Sequence, residues 1–84
     1  MDSRSLLDTK YNALEDFTRR LLANDVKDQI AKIILFGSMA RGDARQDSDI
    51  DVLVFGFGDL RKLFRMCADV AFDILMESGE YIQV

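Results

Sequence analysis

The chain has 84 residues, 49% apolar and 31% charged, with one cysteine, no histidine, no proline and no tryptophan, which describes a folded globular chain limited to one small domain. A lone cysteine excludes an intramolecular disulfide, and the lack of imidazole excludes Ser-His or Cys-His nucleophile pairs and histidine-based zinc sites. The net charge of −4 argues against strong sequence-independent binding to nucleic acid, which depends on Lys and Arg neutralising phosphates.

From Ser5 onward, Leu6, Leu7, Leu14, Phe17, Leu21 and Leu22 recur at helical spacing, with Asp8, Lys10, Asn12, Glu15, Asp16, Arg19 and Arg20 between them. This predicts an amphipathic helix capped by Ser3 or Ser5 and ending at Asn24-Asp25. The apolar, β-branched run Lys32-Ile33-Ile34-Leu35-Phe36 stops at Gly37 and reads as a buried strand followed by a turn. Ser38 to Ser48 is polar, with one helical turn expected at Met39-Ala40-Arg41. Ile50 to Phe55 reads as a second strand, closed by Gly56 and Gly58. Leu60, Leu63, Phe64, Cys67, Val70, Ala71, Ile74 and Leu75 then form one helical stripe, predicting a helix from Asp59 to Ser78 with Asp59 as N-cap and Gly79 beyond its end. A competing reading breaks this helix near Cys67 and makes Val70 to Met76 a strand. The tail, Glu80 to Val84, alternates like a strand, and the sequence stops within it. There is no internal repeat, no signal-like N-terminus and no long apolar run, so a cytoplasmic location is expected.

Without histidine, catalysis must rest on carboxylates, hydroxyls, Lys, Arg or a bound hard cation. Asp49 and Asp51 lie two apart at the start of a strand, so both carboxylates leave the same face. Two anions at such spacing suit Mg²⁺, which takes one or two carboxylates and completes its octahedron with water and phosphate oxygens; the plainer reading is a solvated strand entry. Gly37-Ser38, at a strand end before a helical turn, offers backbone N–H groups and a hydroxyl to a phosphate, or serves as an ordinary strand-to-helix turn.

Gly37-Ser38, ten intervening residues, then Asp49-Ile50-Asp51 resembles the G-S-x10-D-x-D signature of the minimal nucleotidyltransferases, a branch of the DNA polymerase β type nucleotidyltransferase superfamily. The flanks Ile33-Ile34-Leu35-Phe36, Ala40-Arg41-Gly42, Ser48 and Val52-Leu53-Val54 resemble it too, and with the helices on either side the likeness spans nearly the whole chain. The resemblance implies that Gly37 and Ser38 hold the triphosphate of ATP or another NTP, and that Asp49 and Asp51 bind Mg²⁺, in a site of two ions. In the reaction so implied, an acceptor hydroxyl attacks the α-phosphate and pyrophosphate leaves. Arg41 either pairs with phosphate or is solvated and paired with a carboxylate. The superfamily adds a third carboxylate from a later strand. Asp73 is one candidate by sequence order, although the helical stripe puts it on a polar helix face, and Glu80 is the other; the strand that would present this acid is expected to be cut short at Val84.

Members resembling this chain commonly form the antitoxin half of a module whose other half is a helical HEPN-domain ribonuclease toxin. The resemblance therefore implies an AMP-transferring enzyme with a HEPN-domain partner. The alternative is a nucleotide-binding or protein-binding module without turnover that neutralises its partner by masking it. The fold class expected is α+β: a small mixed sheet of Lys32 to Phe36, Ile50 to Phe55 and the tail, with two long helices on one face. The opposite face and the strand ends are left open for nucleotide, and the sheet edges call for dimerisation or partner binding.

Overall fold

The computed structural model describes the backbone of residues 3–84 and the side chains of residues 8–84. Helix α1 (Ser3–Leu22) leads through a short 3-10 turn (Lys27–Gln29) to strand β1 (Ile30–Phe36), helix α2 (Gly37–Arg41), strand β2 (Ile50–Gly56), helix α3 (Leu60–Ser78) and strand β3 (Ile82–Gln83). The expected caps Ser3 and Ser5, and the apolar Leu6 and Leu7, concern side chains outside the described residues. The order α, β, short α, β, long α, β and the mixed sheet are those expected from sequence.

The three strands lie in the order β1-β2-β3, with β1 and β2 antiparallel and β2 and β3 parallel. Registers of Leu35 with Val52 and Ile33 with Val54 put one set of side chains on the helix-covered face, where Val52 is buried and the others pack against the core. Phe36 with Asp51, Ile34 with Leu53 and Lys32 with Phe55 form the opposite face. That face is open: Phe36, Leu53 and Phe55 are exposed, and the Lys32 ammonium lies 5.0 Å from the centre of the Phe55 ring. The reading of Lys32 to Phe36 as a buried strand is thus corrected to a strand half-buried on one face and open on the other, because both long helices pack on the same side of the sheet.

The core joins Ala13, Phe17 and Leu21 of α1 to Leu63, Cys67, Val70, Ala71 and Ile74 of α3, with Val26, Met39, Ile50, Val52 and Ile82 between them. Burying each larger apolar side chain contributes about 1.5–3 kcal/mol. Two expectations about the helix faces change. Leu60 and Phe64 belong to the sequence stripe of α3 but are exposed, since the stripe is wider than the surface α1 and the sheet can cover. Lys10, assigned by polarity to the wet face of α1, is wholly buried.

Local signals set the helix ends. The Asp59 carboxylate accepts from the Lys62 N–H at 3.1 Å, and Gly79, at φ +79°, donates its N–H to the Leu75 carbonyl at 2.8 Å. Helix α1 ends at Leu22, slightly before the predicted Asn24-Asp25, where the Asn24 side-chain amide donates to the Arg20 carbonyl at 2.7 Å. Helix α3 runs unbroken, so the competing strand over Val70 to Met76 is not formed. The tail strand is shorter than expected: the Glu80 N–H is drawn back to Ser78 Oγ at 3.1 Å, so only Ile82 and Gln83 pair with β2. Between the helices, Arg20 makes two 2.8 Å bonds to the Glu77 carboxylate, and Lys62 reaches Asp25 at 2.7 Å.

Candidate active site

Gly37 and Asp51, two of the expected site residues, meet where β1 and β2 lie side by side, with Ser38 and Asp49 next to them in sequence. Phe36 is in register with Asp51, so Gly37 emerges from β1 beside that carboxylate. A Cβ placed on Gly37 would lie 2.2 Å from Asp51 Oδ2 and 3.0 Å from its Cγ, and the backbone there has φ +73°. Glycine is required at Gly37 on both counts: only it takes that conformation without strain, and only it leaves room for the Asp51 carboxylate. The motif halves, Gly37-Ser38 and Asp49-Ile50-Asp51, therefore meet in space.

Ser38 and Met39 continue into α2. Met39 is 2% exposed and anchors this short helix in the core, while the Ser38 carbonyl accepts the N–H groups of Gly42 and Asp43 at 2.9 and 3.0 Å. These contacts fix how the chain leaves β1. Asp51 is half-buried as the second residue of β2, whereas Asp49 stands one residue before the strand and is exposed. Asp49 keeps the two-residue spacing from Asp51 that extended chain turns to one side. Arg41 is exposed, with its Nε 3.4 Å from the Asp43 carboxylate, a loose surface pair.

The two later acids are placed elsewhere. Asp73 is exposed on α3, and its charge is felt by Arg20, whose guanidinium is held above its ordinary value chiefly by the hydrogen bond to Glu77 and further by the charges of Glu77, Asp16 and Asp73. Glu80 accepts a 2.7 Å bond from the Lys10 ammonium. Among the described residues no group of three or more acidic or cysteine side chains comes together that could hold a metal ion, so neither Asp73 nor Glu80 joins Asp49 and Asp51 in such a group. The donors Asp49 and Asp51 still fit Mg²⁺ in kind, because that ion uses one or two carboxylates and takes its remaining oxygens from water and phosphates. The Asp51 carboxylate, seated in the space a side chain at position 37 would fill, is the built part of this donor set.

Lys10 is the residue at this site that sequence reasoning did not single out. Its ammonium reaches the carbonyls of Ser48 at 2.6 Å and Gln46 at 3.4 Å, beside the Glu80 carboxylate. One sequence signal did mark it: Lys10 stands at helical spacing from Ala13, Leu14, Phe17 and Leu21, on the apolar stripe. A surface concavity of about 760 Å³ beside Tyr11, Leu14, Arg19 and Leu22 contains none of the candidate residues. Among the described residues no helix is long and apolar enough to cross a membrane.

The family model described as "Nucleotidyltransferase domain" matches residues 15–82. In Methanocaldococcus jannaschii, the protein named "Putative protein adenylyltransferase MJ0604" is 36% identical over 74 residues, covering 81% of this chain and 73% of the relative. A second protein of that organism, "Putative protein adenylyltransferase MJ0141", is 55% identical over 29 residues, covering 34% of this chain and 29% of the relative. No solved structure matches the chain at a significant level. The family match runs through β1, the Gly37-Ser38 turn, Asp49, Asp51 and α3, and on that ground the chain belongs to the nucleotidyltransferase domain family.

Proposed function

We propose that the chain is a Mg²⁺-dependent nucleotidyltransferase that moves AMP from ATP to a hydroxyl of a protein acceptor, as the antitoxin component paired with a HEPN-domain toxin. The observation that carries the transfer reading is the seating of the Asp51 carboxylate against Gly37, which joins a phosphate-binding turn to a paired-carboxylate strand. The names of the two relatives favour a protein acceptor and AMP, and the likeness of the motif to the minimal nucleotidyltransferases favours the HEPN-domain partner.

In this reading the Gly37 and Ser38 N–H groups, at the start of α2 where no helical carbonyl precedes them, donate to the triphosphate. Ser38 Oγ adds a further donor. Asp49 and Asp51 hold the metal from one side of β2, and Arg41, held only loosely by Asp43, is free to swing onto a phosphate oxygen. Bound Mg²⁺ supplies neutralisation of phosphate charge and alignment of the nucleophile with the leaving group. The acceptor oxygen bonds to the α-phosphorus as the bond to the β-phosphate oxygen breaks; pyrophosphate leaves and the hydroxyl proton passes to solvent or a nearby base.

The test incubates the chain with α-labelled ATP, Mg²⁺ and the helical partner, and follows label into protein. Metal-held charge stabilisation is worth several kcal/mol, so Asp49→Asn and Asp51→Asn should each lower transfer by about 100-fold or more while leaving the fold intact. Transfer persisting in both variants would overturn the metal-site assignment. A second reading, a module that binds nucleotide or partner without turnover, is favoured by one observation: no third acid joins the pair among the described residues. It predicts binding of ATP or partner with no label transferred under any metal condition.

A further inference from the structure

Lys10 has a side-chain exposure of 0%, and its ammonium is shared among the Ser48 carbonyl at 2.6 Å, Glu80 Oε2 at 2.7 Å and the Gln46 carbonyl at 3.4 Å. An ammonium has three donors, and here three acceptors answer them. These acceptors are 36, 38 and 70 residues away along the chain, so one side chain ties α1 to the loop before β2 and to the segment before β3. As a device for stability alone this arrangement is poor, because a buried ion pair is often replaced by apolar side chains at little or no loss.

What the pair does hold is the backbone around Asp49. The Ser48 carbonyl belongs to the peptide bond that leads into Asp49. On the other side of Asp49, the Ile50 N–H donates to the Tyr81 carbonyl at 2.9 Å, and the Ile50 side chain is wholly buried. The turn upstream is closed on itself, with Ser48 Oγ accepting from the Arg45 N–H at 2.8 Å. Asp49 is exposed, yet its backbone is gripped immediately before and immediately after. Glu80 serves as the counter-charge that keeps the ammonium in place.

Resting on the nucleotidyl-transfer reading above, we propose that Lys10 is a positioning residue for the metal–triphosphate site, acting through the Ser48 carbonyl to fix Asp49, and that Glu80 acts as its partner and not as a metal ligand. Groups that orient a ligating carboxylate from behind typically influence metal affinity by about 10- to 100-fold.

The test uses Lys10→Met, Glu80→Gln, and the double variant Lys10→Met/Glu80→Met, in which both charges leave together so that the fold survives even where the single Lys10→Met does not. Mn²⁺ binding in the presence of α,β-methylene-ATP is measured by titration calorimetry, amide hydrogen exchange by residue, and transfer as a function of Mg²⁺ concentration. The double variant should be folded, bind Mn²⁺ about 10- to 100-fold more weakly, need correspondingly more Mg²⁺ for half-maximal transfer, and exchange faster at residues 48–51 while α3 stays protected. Glu80→Gln, which keeps an acceptor for Lys10, should stay within about threefold of the wild type, well inside the loss expected when a contact that orients a ligand is missing. A folded double variant with wild-type Mn²⁺ affinity and unchanged exchange at residues 48–51 overturns the inference. So does a Glu80→Gln defect as large as that of the double variant, which would make Glu80 the ligand. A wild-type chain that neither binds Mn²⁺ with the analogue nor transfers label overturns the transfer reading itself, an outcome distinct from wild-type activity with an unaffected double variant.

Discussion

Replacing Gly37 by alanine separates two physical demands on that position. The first is conformational: at φ +73° an L-residue costs about 1–2 kcal/mol, which in a chain of this size lowers Tm by about 4–16 °C. The second is steric: the new Cβ meets Asp51 Oδ2 at 2.2 Å, so the carboxylate must leave its seat. Gly42 provides the control, since it has φ +83° and nothing within 4 Å of an added methyl group, and Gly42→Ala therefore carries the conformational cost alone. Thermal unfolding should show Gly37→Ala destabilised more than Gly42→Ala. Label transfer from ATP should be lost in Gly37→Ala and retained in Gly42→Ala, because only the former displaces Asp51. Equal destabilisation of the two variants, with transfer intact in Gly37→Ala, would refute the claim that the Gly37–Asp51 contact builds the site.

Two further outcomes follow from the charges and the thiol. The Glu77 carboxyl is held below its ordinary value by the Arg20 hydrogen bond, and Asp25 likewise by Lys62. Both contributions are therefore complete above the ordinary carboxylate range and fade as pH falls through the depressed values; Lys62, raised by Asp25, loses its share only in strongly alkaline solution. Urea midpoints taken from neutral to acidic pH should fall less steeply in Glu77→Gln than in the wild type, with the difference small and shrinking in high salt because the pair is exposed; identical slopes at low salt would contradict this. Cys67 is 2% exposed, and burial pushes its thiol up, so iodoacetamide at neutral pH should label it only as fast as the chain opens. Rapid stoichiometric labelling of the native protein would show that the α3 face is not packed as described.

Much of this molecule is written locally. Asp59 and Gly79 end α3 by contacts spanning three or four residues, and the helical stripes predict both long helices because burial of one face repeats every turn. The Gly37-Ser38 and Asp49-Ile50-Asp51 motif is legible for a similar reason: a turn that needs glycine and a strand that carries two acids both leave short, spaced signals. The open face of the sheet is harder to read, since Ile34 and Phe36 are as apolar as the buried Val52, and only the placement of both helices on one side exposes Phe36.

Patterns among near neighbours were thus enough to specify the elements, the two ends of α3 and the spacing of a glycine-serine turn from two aspartates, because each of these rests on residues a short way apart. Three contacts had to wait for the folded chain: Asp51 filling the space beside Gly37, Lys10 lying buried under the loop before Asp49, and Glu80 turning to Lys10. They join residues distant in sequence, where the deciding quantity is which polar groups meet once water is excluded. No local pattern of residues encodes that meeting.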